Sequence, residues 1–149
     1  MTRLVLPDAL RAQIAREALA ASPSECCGLI EGTRHDDRFV VTALHPARNI
    51  SVDADRFEID PADHFRALHA ARSRGSEILG CYHSHPEGRA EPSPRDRDGA
   101  AETGFVWLIA APRVANRAML AAYVFDGADF SPLEMEAPGS LDPPAASTV

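Results

Sequence analysis

Lysine is absent from this chain of 149 residues, whose 15 basic residues are all arginine. Aspartate and glutamate together number 22, so the formal net charge is −7. A general nucleic-acid binder needs a basic surface to neutralise phosphates, and this charge argues against one. The length is enough for one domain with its own core and leaves little room for a second.

Cysteine and long apolar segments are also scarce. There are three cysteines, and two of them, Cys26 and Cys27, are adjacent. An odd, sparse set makes a poor disulfide framework and is typical of a reducing compartment. No apolar run reaches the length of about 18 residues that a membrane-spanning helix needs, and Pro7 and Asp8 interrupt the apolar start of the chain. We therefore expect a cytoplasmic protein without a transmembrane helix or signal peptide.

The pattern of apolar residues predicts alternating helices and strands. Leucine, isoleucine and alanine recur every four residues within 7–20, which predicts an amphipathic helix. Asp60 followed by Pro61 signals the start of a second helix, which Gly75 ends. A third helix is predicted from Ser93 to about Gly104, and strands are predicted at 27–32, 38–44, 57–59, 78–85, 105–111 and 119–125. This order favours an α/β fold, with helices packed on the faces of a mixed sheet.

His83 and His85 are the first indication of metal chemistry. Alternate side chains of a strand lie on the same face, so the two imidazoles can occupy two corners of a zinc tetrahedron. Asp96 follows His85 by 11 residues, at the start of the third predicted helix, where its carboxylate can be a third ligand. Three protein ligands with a fourth position left for water are typical of a catalytic zinc site, because structural sites usually have four.

Other interpretations of these residues remain open at this stage. A His-x-His pair also occurs in cupins and amidohydrolases, although no histidine follows His85 and the nearby glutamates are wrongly spaced for a cupin. The HExxH helix of metalloproteases and the Cys-x-x-Cys of zinc deaminases are both missing. Ser93-Pro-Arg-Asp96 is also a helix-capping sequence, a role compatible with a place beside a metal. Cys81 shares the strand face of the histidines, but a free cysteine is more often packed in the core.

Activating a water molecule also requires a base. Five glutamates are candidates: Glu25, Glu31, Glu58, Glu87 and Glu91. Glu25 directly precedes the apolar sequence Cys-Cys-Gly-Leu-Ile, where burial is expected to raise its pKa and let it exchange protons near neutrality. Ser22-Pro-Ser-Glu25 also fits a capping box, but the residues that follow are a poor beginning for a helix.

These residues together resemble the motif of a known family. His83-Ser84-His85, seven further residues, Ser93, two residues and Asp96 match H-[ST]-H-x7-S-x-x-D. This is the motif of the JAMM family, the catalytic members of the MPN (Mov34/PAD-1) domain metalloproteases, whose prokaryotic type this sequence resembles. The joint motif is highly specific, whereas its separate pieces are not.

The resemblance covers about residues 25–125 and implies roles for the residues that match. It implies three zinc ligands: His83, His85 and Asp96. Glu25 matches the family's upstream glutamate, which implies that it is the general acid and base. Ser93 is implied to hydrogen-bond the tetrahedral oxyanion. Every motif position is intact, which distinguishes the sequence from the inactive MPN scaffolds.

The resemblance also implies a fold and a function. The expected fold is an α/β sandwich of the MPN type, JAB1-like and similar to cytidine deaminases, with a curved mixed β-sheet flanked by helices. The expected function is that of a Zn²⁺-dependent peptidase or isopeptidase acting on a protein or peptide. Prokaryotic relatives process ubiquitin-like sulfur-carrier proteins after a C-terminal Gly-Gly, so such a carrier is the expected partner, with no nucleic acid and no membrane.

Domain limits and two alternative functions complete the expectations. We expect residues 1–138 to form the MPN/JAMM catalytic domain. Residues 139–149, rich in proline, alanine and serine, are expected to form a flexible C-terminal tail. The alternatives are a non-catalytic protein-interaction scaffold and a different zinc hydrolase on a deaminase-like fold.

Overall fold

The computed structural model describes residues 3–112 and 118–139. The described residues form β1 (Arg3–Val5), α1 (Asp8–Ala21), β2 (Cys27–His35), β3 (Arg38–Ala47), α2 (Pro61–Ser73), β4 (Glu77–Ser84), α3 (Pro94–Gly99), β5 (Val106–Pro112), β6 (Ala118–Phe125) and β7 (Phe130–Glu136). None of these helices is long and apolar enough to cross a membrane. The tail predicted at 139–149 lies outside the described residues, except for its first residue.

The strands form one closed, barrel-like mixed sheet in the order β1-β3-β2-β4-β5-β6-β7. β2 pairs antiparallel with both β3 and β4, whereas β4 and β5 are parallel. β1 closes the sheet, because it pairs in parallel with both β3 and β7. The predicted mixed sheet is therefore confirmed. The sequence patterns do not indicate β1 and β7, because β1 is only three residues long and β7 contains a proline and two glutamates.

The helices agree with the sequence predictions except for α3. In α2, the Asp60 side chain accepts a hydrogen bond from the Ala62 N–H at 2.9 Å, as the start signal predicts. The prediction that α3 continues to about Gly104 is wrong, since the helix ends at Gly99. Its sequence Pro-Arg-Asp-Arg-Asp-Gly offers no apolar side to bury, so only the capped first turns are stable. Gly104 instead forms a turn with φ +85° before β5.

The predicted short strand at 57–59 is also reduced in the structure. Only a single antiparallel bridge joins Ile59 to Asn49. The Asn49 side chain accepts the Glu58 N–H, so this segment is bonded partly by a side chain and does not extend a strand ladder.

The central strands are buried on both faces, which suits the continuous apolar sequence of β5. On one face, Ile30 and Leu108 belong to the main core cluster, which α1 covers with Ile14 and Ala18. The opposite face carries a second cluster, and its buried members are Leu29, Ala67, Cys81, Trp107 and Phe125. Cys81 is 3% exposed there, which confirms its interpretation as a core residue. His83 and His85 follow Cys81 on this second face of β4.

β4 and β5 approach each other unusually closely at Gly80, three residues before His83. A Cβ atom at Gly80 would stand 1.9 Å from the carbonyl oxygen of Val106. Only glycine therefore permits the parallel pairing of these strands at this point, and that pairing continues through His83 and Ile109.

Candidate metal centre

The end of β4 and the start of α3 bring three donor atoms together. The Nε2 atoms of His83 and His85 are 3.0 Å apart, and each lies 3.1 Å from a carboxylate oxygen of Asp96. All three side chains are buried. Ligands of a tetrahedral zinc ion stand about 3.3 Å from one another, so this set matches that geometry after a small expansion.

The hydrogen bonding of His85 directs a lone pair into this cluster. Its Nδ1 donates to the carbonyl oxygen of Arg89 at 2.8 Å, so in the neutral ring the Nε2 lone pair faces the donor cluster, whereas the protonated ring donates from Nε2 to Asp96. Burial lowers the pKa of His85, but the hydrogen bonds with Asp96 and Arg89 outweigh it and the pKa rises. Surroundings that favour positive charge at Nε2 also favour a metal cation there.

Asp96 is oriented by a reciprocal capping box at the start of α3. The Ser93 Oγ accepts from the Asp96 N–H at 3.1 Å, and the Asp96 Oδ2 accepts from the Ser93 N–H at 2.9 Å. Burial raises the pKa of Asp96, but its hydrogen bonds with His83 and His85 outweigh this and hold the pKa well below its usual range. The capping interpretation of Ser93 is thus confirmed. Because the Ser93 Oγ is an acceptor in this bond, its own O–H remains a donor.

Glu25 is the glutamate that the fold brings to the histidines. It lies just before β2, whose first residue, Cys27, pairs with His83. One ligand atom from each of Glu25, His83 and His85 lies within 4.8 Å of the others. Glu25 is buried, and this burial raises its pKa to about 7, although nearby His85 opposes the shift. Asp96 contacts both Nε2 atoms at 3.1 Å, whereas the ligand atom of Glu25 lies within 4.8 Å of the histidine atoms, a separation that a bridging water molecule can span.

The other candidate glutamates occupy different surroundings. The Glu31 carboxylate accepts from Arg74 Nη2 at 2.6 Å and contacts His45 Nε2 at 2.8 Å. The hydrogen bonds from Arg74 in particular lower its pKa to about 2. Three of the candidates are exposed: Glu58, Glu87 and Glu91.

Two aromatic residues that sequence reasoning did not assign to the site enclose His83. The Phe57 ring stacks on the imidazole with centroids 4.3 Å apart, and Trp107 meets it edge-on at 5.8 Å. Burial here lowers the pKa of His83, so its ring stays neutral and suited to a metal. His83 Nδ1 has no hydrogen-bond partner among the described residues. Ring packing therefore orients His83, while a hydrogen bond orients His85. A phenylalanine within a polar segment is the one sequence signal for this role.

Two cavities flank the donor cluster. The larger, of about 640 Å³, is lined by residues that include Glu25, His85, Ser93 and the loop residues 86–89, 91 and 92. The second, of about 380 Å³, is lined by residues that include Phe57, Asp96 and Trp107. Arg95 and Asp55 line both cavities, and an ion pair of 3.5 Å joins them. Arg95 is exposed and lies at the boundary of the two cavities.

The chain is similar to known proteins in both sequence and fold. The sequence profile of the family described as prokaryotic homologs of the JAB domain matches residues 7–124. A desampylase of Haloferax volcanii is 40% identical over 100 residues, which are 66% of this chain and 70% of the relative. A probable TtuB-protein conjugate cleaving protease of Thermus thermophilus is 34% identical over 94 residues, 62% of this chain and 60% of the relative. The structure of a JAB1/MPN domain protein from Archaeoglobus fulgidus superposes with a TM-score of 0.52, at 18% identity, over 91% of this chain and 97% of that one.

Proposed function

Because this chain belongs to the family of prokaryotic homologs of the JAB domain, we propose that it is a zinc-dependent isopeptidase acting on conjugates of a ubiquitin-like protein. One observation carries the proposal: His83, His85 and Asp96 aim three donor atoms at one point, with the buried Glu25 beside them. The fold expected from the motif, JAB1/MPN-like with a mixed sheet and flanking helices, is the observed one.

The donor set fits Zn²⁺. Two imidazole nitrogens and one carboxylate oxygen make the kind of three-ligand set that leaves a fourth position open for catalysis. Bound there, Zn²⁺ supplies a Lewis acid that polarises a carbonyl oxygen and makes water a stronger acid. In this proposal His83, His85 and Asp96 hold the ion. Phe57, the Arg89 carbonyl and the capping box keep these ligands in place.

Glu25 and Ser93 perform the proton transfer and charge stabilisation in this proposal. With a pKa raised to about 7 by burial, the Glu25 carboxylate takes a proton from the attacking water and returns it to the nitrogen of the leaving amine. The Ser93 O–H, which faces the larger cavity, donates to the carbonyl oxygen as it becomes negative. The other contacts of the Glu25 carboxylate and of the Ser93 O–H leave both groups available for these roles.

The proposed substrate is a protein with an extended C-terminal tail that ends in small residues. Pro86, Gly88 and Pro92 line the loop side of the larger cavity, and a bulky side chain beside the scissile bond would meet this loop. Gly-Gly passes such a loop easily and adopts any backbone angle. The related proteins are named for desampylation and for cleaving TtuB–protein conjugates, which supports a ubiquitin-like carrier as the partner. The proposed catalytic domain spans residues 1–138, with 139–149 as a tail.

Intact-mass spectrometry tests this proposal. The zinc-loaded protein is incubated with ubiquitin-like carriers from the same genome, either conjugated to lysine or extended by a few residues beyond Gly-Gly. We expect the mass of the free carrier ending in Gly-Gly, and no such product from the Glu25→Gln variant. Binding of the carrier without cleavage would instead support the scaffold alternative. Hydrolysis of a non-peptide amide alone would support a different zinc hydrolase.

A further inference from the structure

The side-chain amide of Asn49 forms a hub beside the candidate site. Its Nδ2 donates to the carbonyl oxygens of Glu25 at 3.0 Å and Arg56 at 3.1 Å. Its Oδ1 accepts the N–H groups of Ser51 and Glu58, both at 3.0 Å. These four bonds use both donors and both acceptor positions of an amide, so no other residue type can reproduce them at this position.

Three of the four Asn49 partners belong to the loop of residues 50–58, which reaches over the proposed metal ligands. Phe57 in this loop stacks on His83. Asp55, also in the loop, pairs with Arg95 at the boundary of the two cavities. Since Asn49 bonds the loop backbone near its start and near its end, the amide defines where these two side chains lie.

The backbone at Glu25 lies outside the sheet, so contacts other than strand pairing hold it in place. Glu25 precedes β2 and takes no part in its pairing. The next residue, Cys26, donates its N–H to the Ser84 Oγ at 2.8 Å, and the Ser84 N–H bonds back to the Cys26 carbonyl at 3.2 Å. Ser84 thus holds this segment from the β4 side, and Asn49 holds it through the Glu25 carbonyl.

We propose that Asn49 is a positioning residue that couples Glu25 to the loop of residues 50–58, so that the base and the aromatic cover of His83 move together. The expected effect on kcat rests on the proposed function, whereas the structural coupling between Glu25 and the loop does not. A small displacement of a proton-transferring group is enough to slow catalysis substantially, so the main expected effect is on kcat.

Three variants separate the bonds of the hub. Asn49→Asp is isosteric and keeps the acceptor for Ser51 and Glu58, but it loses both donations, the one to Glu25 and the one to Arg56. Asn49→Ala loses all four bonds. Ser51→Ala is the matched control, because it removes only the Oγ contacts with Asp53 inside the same loop.

Amide hydrogen exchange read by NMR tests the structural part on metal-free and zinc-loaded protein. We expect faster exchange at Cys26 in both Asn49 variants. Faster exchange at Ser51 and Glu58 is expected only in Asn49→Ala, and no change at Cys26 in Ser51→Ala. If exchange at Cys26 matches the unsubstituted protein in both Asn49 variants, the coupling does not exist.

Kinetics on the cleaved conjugate test the functional part. For Asn49→Asp we expect kcat to fall by about 10–100-fold, the usual cost of losing a supporting hydrogen bond at a metal site, with KM close to that of the unsubstituted enzyme. In the Glu25→Gln background, the same substitution should lower the residual rate no further. The inference is overturned if Asn49→Asp has the same kcat as Ser51→Ala. It is also overturned if Asn49→Asp lowers the rate in the Glu25→Gln background as much as it does in the unsubstituted enzyme. If the unsubstituted protein cleaves no conjugate, the proposed function fails and the exchange data alone decide the inference.

Discussion

The hydroxyl of Ser84 accepts the backbone N–H of Cys26 at 2.8 Å, across 58 positions of sequence. Ser84 lies between His83 and His85, and Cys26 follows Glu25. Together with the reciprocal bond from the Ser84 N–H to the Cys26 carbonyl, this bond holds the segment that carries the proposed base against the strand that leads to the two proposed histidine ligands. The middle residue of the His-Ser-His sequence is part of the site through this contact, although its side chain faces away from the donor cluster.

The first prediction concerns metal content. We expect about one zinc ion per chain in protein purified without chelators, and its loss in His83→Ala and in Asp96→Ala, because each removes one of three ligands. Inductively coupled plasma mass spectrometry measures this. His69→Ala is the control, since that histidine is exposed on α2 and stacks only on Phe65. If zinc added to the metal-free protein neither binds nor activates, the proposed centre is wrong.

The second prediction concerns the base. Glu25→Gln should keep the zinc and lose most of the activity, because the amide preserves the shape of the side chain but cannot carry the proton. Metal content and initial rates are measured on the same preparations. Turnover near that of the unsubstituted enzyme would move the base elsewhere, with Glu58 and Glu87 the next to test.

The third prediction separates the two roles of Ser93. Ser93→Ala should lower the rate by on the order of a hundredfold, as expected for losing one donor to an oxyanion, while zinc remains bound. Ser93→Thr keeps a hydroxyl that can both cap and donate, and it should recover much of the rate. A large drop in melting temperature with little change in rate would show that Ser93 serves α3 alone.

The fourth prediction concerns acid stability. The hydrogen bonds from Arg74 hold the pKa of Glu31 at about 2 in the folded protein, below the value of about 4.3 expected when unfolded. A lowered folded pKa stabilises the protein above the unfolded value, and this contribution is lost as pH falls from about 4.3 to about 2.

Denaturant unfolding measured across this pH range checks the fourth prediction. Glu31→Gln should be less stable than the unsubstituted protein at neutral pH, because Arg74 and His45 lose a charged acceptor. The difference should shrink as the pH falls towards 2. Glu134→Gln is the control, because Glu134 is exposed on β7. A difference that stays constant with pH would contradict the assigned ion pair.

Much of the ligand set is predictable from local sequence. The alternation of a strand puts His83 and His85 on one face, and Ser93-Pro-Arg-Asp96 is a capping sequence wherever a helix begins. Both patterns depend on neighbours within a few residues, and the structure shows both. The mixed sheet also follows from the order of apolar segments. By contrast, the length predicted for α3 is wrong, because helix propagation depends on what a helix can bury and not on its cap alone.

The remaining features depend on contacts between distant parts of the chain. The pairing of β2 with β4 brings Glu25, which lies just before β2, to the histidines, and no local sequence pattern predicts that register. Phe57 and Asn49 lie in a segment whose polar sequence indicates only a loop, and their roles arise from packing against His83 and Glu25. The closure of the sheet likewise rests on β1, a strand too short to be recognised alone. Local sequence thus determines the spacing of the proposed ligands through short-range geometry. The position of the proposed base, the packing around His83 and the closed sheet depend on long-range packing, which selects one strand register.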